Sequence, residues 1–371
     1  MPPLSLLIKP ASSECNLRCK YCFYHSISKS RSIESFGIMK EDTLELLVKK
    51  GLEYADGSCT FAFQGGEPTL TGLNFYRKFI EYQKKYNTKK TQVHNVIQTN
   101  GIVIIDEWAE FFAKNNFLVG ISLDGFKDIH DMNRVDARNS GSFTRVMNAI
   151  GFFNKHKVEY NILTVVNSVT ARHIGKVYNF FRKNGFNYLQ FIPCLDPINE
   201  KPGGHGYSLT PEKYAYFLKT LFDLWYKDFV NGNRISIRYF DNLIGMLMGY
   251  PPESCGMTGF CKCYYVVESD GSTYPCDFYV MDQWRLGNIK EMSFQDMQNS
   301  DTAVQFLEVS KYIDPECSNC EWFQLCRGGC RRSREPFENG RPVLNYYCPS
   351  YKEFFSYAGE RMIEIAKKLS V

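Results

Sequence analysis

The chain has 371 residues, 44% of them hydrophobic and 23% charged, which excludes a disordered protein and leaves room for two domains of ordinary size. The net charge is only +4, from 44 basic and 40 acidic residues with no long run of either, so composition offers nothing to nucleic acid or a membrane surface. The apolar run Leu4–Ile8 lacks a basic flank and is too short for a signal sequence, and no stretch reaches membrane-helix length, so a cytoplasmic protein is expected.

Along the first two-thirds, short β-rich runs alternate with longer helical patterns. Strands are expected at Leu4–Lys9, Thr60–Gln64, His94–Thr99, Leu118–Leu123, Tyr160–Val166 and Tyr188–Ile192. Helices are expected to begin near Lys40, Gly72, Asp106, Ser142, Ala171 and Thr210. Thr210-Pro211-Glu212 combines a cap, a proline and an acid at a helix start. Six βα units imply an α/β fold with a parallel sheet. Six is fewer than the eight of a closed barrel, so a partial, open (β/α)6 TIM-like barrel fits. The domain boundary is placed near residue 235, giving 1–234 and 235–371. Beyond it Asp270-Gly271 marks a hairpin between a strand at Tyr264–Glu268 and one reaching Tyr274. A last helix over Lys352–Leu369 is expected to dock back on the body.

Fourteen cysteines are a large excess for a cytosolic chain, where metal or cluster ligation is a better default than disulfides. Cys15, Cys19 and Cys22 form C-x3-C-x2-C. Three thiolates in one loop hold three irons of a 4Fe–4S cube and leave one iron open to chelation. The alternative is a zinc loop completed by His25. Nine further cysteines lie after residue 250. Eight of them, Cys255, Cys261, Cys276, Cys317, Cys320, Cys326, Cys330 and Cys348, are the number that two fully ligated cubes need. Two zinc sites are the alternative there. Cys59 starts one strand and Cys194 ends another, so core packing is expected for both.

Parallel barrels place their chemistry at the C-terminal ends of strands. Gly65-Gly66-Glu67 follows one such end, with glycines that permit close backbone approach and a carboxylate that can accept from an ammonium. Gln98, Ser122 and Asp124 end two others, Arg134 follows shortly after, and Leu195 lies past the sixth. A plain turn is the bland reading of the first, and a surface ion pair that of Arg134.

C-x3-C-x2-C with Tyr21 before its last cysteine resembles the signature of the radical S-adenosylmethionine (SAM) superfamily. The resemblance implies that the open iron binds the methionine moiety of SAM. An electron from the cluster then cleaves the sulfonium, and a 5′-deoxyadenosyl radical abstracts a substrate hydrogen. It further implies that Gly65, Gly66 and Glu67 hold the SAM amino group, that Ser122 and Asp124 sit near ribose and methionine with Gln98 beside them, that Arg134 meets the carboxylate, and that Leu195 covers adenine. The later cysteines resemble a SPASM domain. By that likeness Cys255, Cys261, Cys276 and Cys330 hold one auxiliary cluster, and Cys317, Cys320, Cys326 and Cys348 the other, three 4Fe–4S clusters in all. Cys263 is a rival ligand to Cys261.

The segments Cys15–Tyr24, Phe63–Pro68, 238–242 and 275–279 together look like the anaerobic sulfatase-maturating enzymes. Those enzymes oxidise a Cys or Ser in a Cys/Ser-x-Pro-x-Arg motif to Cα-formylglycine. The implied partners are an unfolded or nascent sulfatase peptide and a low-potential electron donor such as flavodoxin or ferredoxin, with the enzyme a monomer. The chemistry needs a base for the thiol or hydroxyl proton. Asp277, directly after Cys276, is the choice, with Gln64 and Tyr24 as its hydrogen-bond partners; a turn aspartate and a packed tyrosine are the bland readings. Another SPASM peptide modifier is the nearest rival, although the early cysteine loop leaves no room for the extra N-terminal recognition domain such enzymes often carry. A non-catalytic iron–sulfur carrier explains the cysteines but not Gly65-Gly66-Glu67.

Overall fold

The structure is a computed structural model that describes residues 3–370. Ten strands follow in chain order: β1 (Leu4–Lys9), β2 (Ser58–Phe63), β3 (Gln92–Thr99), β4 (Phe117–Ser122), β5 (Glu159–Val166), β6 (Tyr188–Pro193), β7 (Ser236–Ile237), β8 (Val266–Glu268), β9 (Ser272–Tyr274) and β10 (Gly287–Asn288). The chain divides into two compact units. The first holds the residues up to Leu123, Arg134–Tyr160 and Lys262–Phe306, and the second holds Asp124–Asn133, Asn161–Cys261 and the residues from Leu307 onward.

In the first unit the strand order is β10-β9-β8-β1-β2-β3-β4. β1 to β4 are mutually parallel. β2 alternates half-buried and buried residues, and Cys59, Phe61 and Phe63 point inward with no exposed surface. Phe63 and Phe79 meet edge-to-face at 4.8 Å, and Tyr76, Trp108, Phe112 and Phe117 continue this aromatic core. Each fully buried ring contributes about 1.5–3 kcal/mol.

The expected hairpin at Asp270-Gly271 forms, with β8 and β9 antiparallel. β8 also lies parallel to β1 in the register Leu7 to Val266 and Lys9 to Glu268. This ladder draws Lys262–Phe306 into the first unit, so the compact units do not follow a single cut near residue 235.

In the second unit β5, β6 and β7 are parallel. The helix Pro211–Val230 starts as expected, with the Thr210 hydroxyl accepting from Lys213 N at 3.5 Å. The helix expected near Ala171 is instead two, Ser168–Arg172 and Ile174–Lys183: Asn167 caps the first through Val169 N and Thr170 N, and His173, at φ −105° and ψ 16°, separates them. The C-terminal helix spans Cys348–Leu369, one turn longer than expected, since Pro349 suits a helix's first turn. It packs on the helix Pro211–Val230, with Phe354 against Phe222 at 5.8 Å and Arg361 paired to Asp223 at 2.7 Å.

Candidate active site

The loop after β1 carries Cys15, Cys19 and Cys22, and Cys22 immediately precedes the helix Phe23–Lys29 without a side-chain capping hydrogen bond. A chain of hydrogen bonds holds this loop to the ends of β2 and β3. Glu67 N donates to Glu14 O at 2.7 Å, and Asn100 Nδ2 donates to Asn16 Oδ1 at 2.7 Å and to Cys15 Sγ at 3.7 Å. A Cβ on Gly66, whose φ is +57°, would meet the Ser12 carbonyl oxygen at 2.8 Å. Glycine is therefore needed there for the cysteine loop to close.

Glu67 is fully buried, and its carboxylate is committed within the protein. Oε1 accepts from Thr69 N at 3.1 Å, Thr69 Oγ1 at 2.6 Å and Thr99 Oγ1 at 2.7 Å, while Oε2 accepts from Asn100 N at 2.7 Å. It ties the end of β2 to the end of β3. Gln98 Nε2 donates to Ser122 Oγ at 3.1 Å, which joins the ends of β3 and β4. Arg134 is buried, with its guanidinium 5.6 Å from the Tyr21 ring centroid. These residues all belong to the first unit. Asp124 and Leu195 belong to the second, where Asp124 Oδ1 accepts from Val165 N at 3.1 Å.

The three residues expected around the base come together. Asp277 opens a short 3-10 turn right after Cys276 and is buried. Its Oδ2 accepts from Tyr24 Oη and from Gln64 Nε2 at 3.2 Å, and Gln64 Nε2 also donates to Tyr24 Oη at 2.8 Å. Oδ1 is buried without a hydrogen bond. Burial raises the Asp277 carboxyl above the ordinary carboxylate range, against the opposing pull of Lys9 and Tyr24. Burial and the Asp277 carboxylate push the Tyr24 phenol well above its usual value, so it stays a donor.

Sequence reasoning did not single out Lys9. Its Nζ lies 3.7 Å from Asp277 Oδ1 and 4.1 Å from the Tyr24 ring centroid. The strand-end rule, applied to β1 as it was to the later strands, points to it.

The thiols form sets. Burial, the Glu67 carboxylate and then Cys19 and Cys22 push the Cys15 thiol up to about 12. In the second unit Cys317, Cys320, Cys326 and Cys348 line one pocket with Trp322, Phe323 and Phe355. Burial pushes Cys326 up to about 12, with Cys348, Cys317 and Cys320 adding to it. Cys330, also pushed up to about 12 by burial, feels Cys255 and Cys261. Cys276 and Cys263 belong to the first unit. A zinc site needs donors converging on one ion, about 2.3 Å from each sulfur. His25, the candidate fourth ligand of a zinc loop, is exposed. Sets of three or four partly buried thiols that bear on one another are donor sets suited to cubic clusters. Cys59 and Cys194 pack in the core as expected.

Residues 10–181 match the radical SAM superfamily, and residues 255–321 match an iron-sulfur cluster-binding domain, SPASM. A cysteine-type anaerobic sulfatase-maturating enzyme of Clostridium perfringens is 54% identical over 369 residues, covering 100% of both chains. A serine-type anaerobic sulfatase-maturating enzyme of Bacteroides thetaiotaomicron is 34% identical over 388 residues, covering 99% of this chain and 92% of its own. The solved structure of native anSMEcpe with bound AdoMet and Cp18Cys peptide superposes with a TM-score of 0.96 at 53% identity, over 99% of this chain and 100% of that one.

Proposed function

The chain belongs to the anaerobic sulfatase-maturating enzymes of the radical SAM superfamily, and on that premise we propose the residue roles that follow. The protein is an oxidoreductase that converts a residue of a sulfatase Cys/Ser-x-Pro-x-Arg motif to Cα-formylglycine. Bound SAM and three 4Fe–4S clusters supply the 5′-deoxyadenosyl radical that removes a Cβ hydrogen and the acceptor for the electron that leaves afterwards.

Asp277 takes the thiol or hydroxyl proton of the substrate residue. The observation that carries this role is a buried carboxylate right behind Cys276, with Oδ2 held by Tyr24 and Gln64 and Oδ1 without a hydrogen bond. Tyr24 and Gln64 orient it. Cys15, Cys19 and Cys22 hold the SAM-binding cluster. Gly65, Gly66 and Glu67 hold the SAM amino group, and the Glu67 carboxylate also ties the end of β2 to the end of β3 through the hydrogen bonds it accepts, only one of them on Oε2. Ser122 and Asp124 sit near the ribose and methionine with Gln98 beside them, Arg134 meets the methionine carboxylate and Leu195 covers adenine, while Asp124 Oδ1 also accepts from Val165 N. Cys255, Cys261, Cys276 and Cys330 hold one auxiliary cluster, and Cys317, Cys320, Cys326 and Cys348 the other.

Cysteine is the native target on this reading, supported by 54% identity to a cysteine-type enzyme against 34% to a serine-type one. The further expectations of a flavodoxin or ferredoxin donor, a monomer and a cytoplasmic location belong to the same proposal. No helix among the described residues is long and apolar enough to cross a membrane.

Reconstituted protein is incubated without oxygen with SAM, a strong reductant and a Cys-x-Pro-x-Arg peptide. Formation of 5′-deoxyadenosine together with an aldehyde in place of the thiol supports the reading. Asp277→Asn is expected to keep SAM cleavage and lose about 10²–10⁴-fold in peptide oxidation. An unchanged yield in that variant removes Asp277 from the role.

A further inference from the structure

Lys9 ends β1 and has only 3% of its surface exposed. An ammonium taken out of water is costly unless a charge or a hydrogen bond meets it. Glu268, its register partner on β8, is already paired with Arg31 at 2.6 Å. The carboxylate that meets Lys9 is Asp277, with Nζ 3.7 Å from Oδ1, longer than a hydrogen bond but within ion-pair range. The ammonium also lies 4.1 Å from the Tyr24 ring centroid, a cation–π distance. Gly65 makes room for it: a Cβ there would come within 2.9 Å of Lys9 Cγ and collide with its Nζ.

The two oxygens of Asp277 are therefore unlike. Oδ2 accepts from Tyr24 and Gln64, whereas Oδ1 has no hydrogen bond and faces the ammonium. We propose that Lys9 is the positioning residue of this base. Its ammonium, braced on the Tyr24 ring, fixes the carboxylate so that Oδ2 stays with Tyr24 and Gln64 while Oδ1 is the atom left to receive the substrate's proton. In that step the substrate S–H bond breaks, an O–H bond forms at Oδ1 and the electron pair stays on sulfur. The one-electron oxidation that follows is that of the maturation reaction itself. The inference rests on the reading of Asp277 as the base.

The test uses reconstituted holoenzyme with a Cys-x-Pro-x-Arg peptide deuterated at the cysteine Cβ. Wild type, Lys9→Met, Lys9→Arg and Asp277→Asn are compared for iron per chain, deuterium in 5′-deoxyadenosine, formylglycine formed per deoxyadenosine, and peptide KM against kcat. Lys9→Met is expected to retain iron, deuterium transfer and peptide KM, and to lose roughly tenfold or more in formylglycine per deoxyadenosine, the scale of a misplaced catalytic group. Lys9→Arg keeps the charge and is expected to recover part of that loss. If Lys9→Met does not accumulate as folded holoenzyme, Lys9→Gln is read in the same four ways. Wild-type coupling in the uncharged variant overturns the proposal. So does a parallel loss of iron and deuterium transfer, which marks Lys9 as structural. Full yield from Asp277→Asn sinks the base reading itself, whereas a dead Asp277→Asn beside a fully coupled Lys9→Met sinks only the role of Lys9.

Discussion

Asp277 is placed among opposing influences. Burial and Glu268 work against its ionisation, and Lys9 and Tyr24 favour it, with burial the largest and the carboxyl raised as a result. A base must be ionised before it takes a proton, so peptide oxidation should fall as the pH is lowered through that raised value. Hydrogen abstraction does not use the carboxylate. Parallel pH profiles of formylglycine and 5′-deoxyadenosine, measured on one enzyme preparation, should therefore diverge on the acid side, and coincident acid limbs would count against the assignment. Glu67 behaves differently. Its four accepted hydrogen bonds, three on Oε1 and one on Oε2, make it a strut between β2 and β3. Glu67→Ala strands Asn100 N, Thr69 N and two threonine hydroxyls, each at about 1–3 kcal/mol if left unsatisfied. Asn100 also donates to Cys15, so the variant should lose thermal stability and iron together. Sequence identified Asp277, Tyr24 and Gln64 as residue types near the right motifs. That Oδ2 is occupied and Oδ1 is not depends on side-chain placement across 253 and 213 residues of chain, which no local spacing encodes.

At the level of elements, β8 depends on a buried ion pair. Arg31 follows the helix Phe23–Lys29, and its guanidinium meets Glu268 at 2.6 Å and the Glu34 carbonyl at 2.6 Å, with side-chain exposures of 2% and 0% for the pair. Arg31→Met leaves an uncompensated carboxylate and should cost about 3–5 kcal/mol, read as a lower midpoint in anaerobic denaturant unfolding. The C-terminal helix is held differently, by an apolar stripe. Phe354 has no exposed surface and touches Phe222 and Phe240, so Phe354→Ala should also cost about 3–5 kcal/mol through the cavity it opens. The strands of the six βα units were legible to within two residues because alternation and β-branched runs report them directly. The pairing of β8 with β1 was not, because a three-residue strand carries no signal of its neighbour.

For the whole molecule, the cysteine sets predict stoichiometry. Three 4Fe–4S clusters hold about 12 irons, and replacing Cys317, Cys320, Cys326 and Cys348 with alanine should leave about 8. Replacing Cys15, Cys19 and Cys22 should likewise leave about 8 and also abolish 5′-deoxyadenosine formation, which the first replacement need not do. Iron analysis of the two variants side by side tests both assignments. By itself the sequence determined the α/β class, the order of the βα units, the family and the cysteines available as ligands. Those properties rest on periodicity and on short motifs, which are local. Tertiary structure alone decided that Lys9 stands beside Asp277, that Glu67 ties β2 to β3, and that Lys262–Phe306 pack with the first strands. The first and the last depend on β1 meeting a strand more than 250 residues away, a pairing made by hydrogen bonds between backbones whose own sequences are indifferent to it, and the hydrogen bonds of Glu67 depend on the ends of β2 and β3 lying side by side.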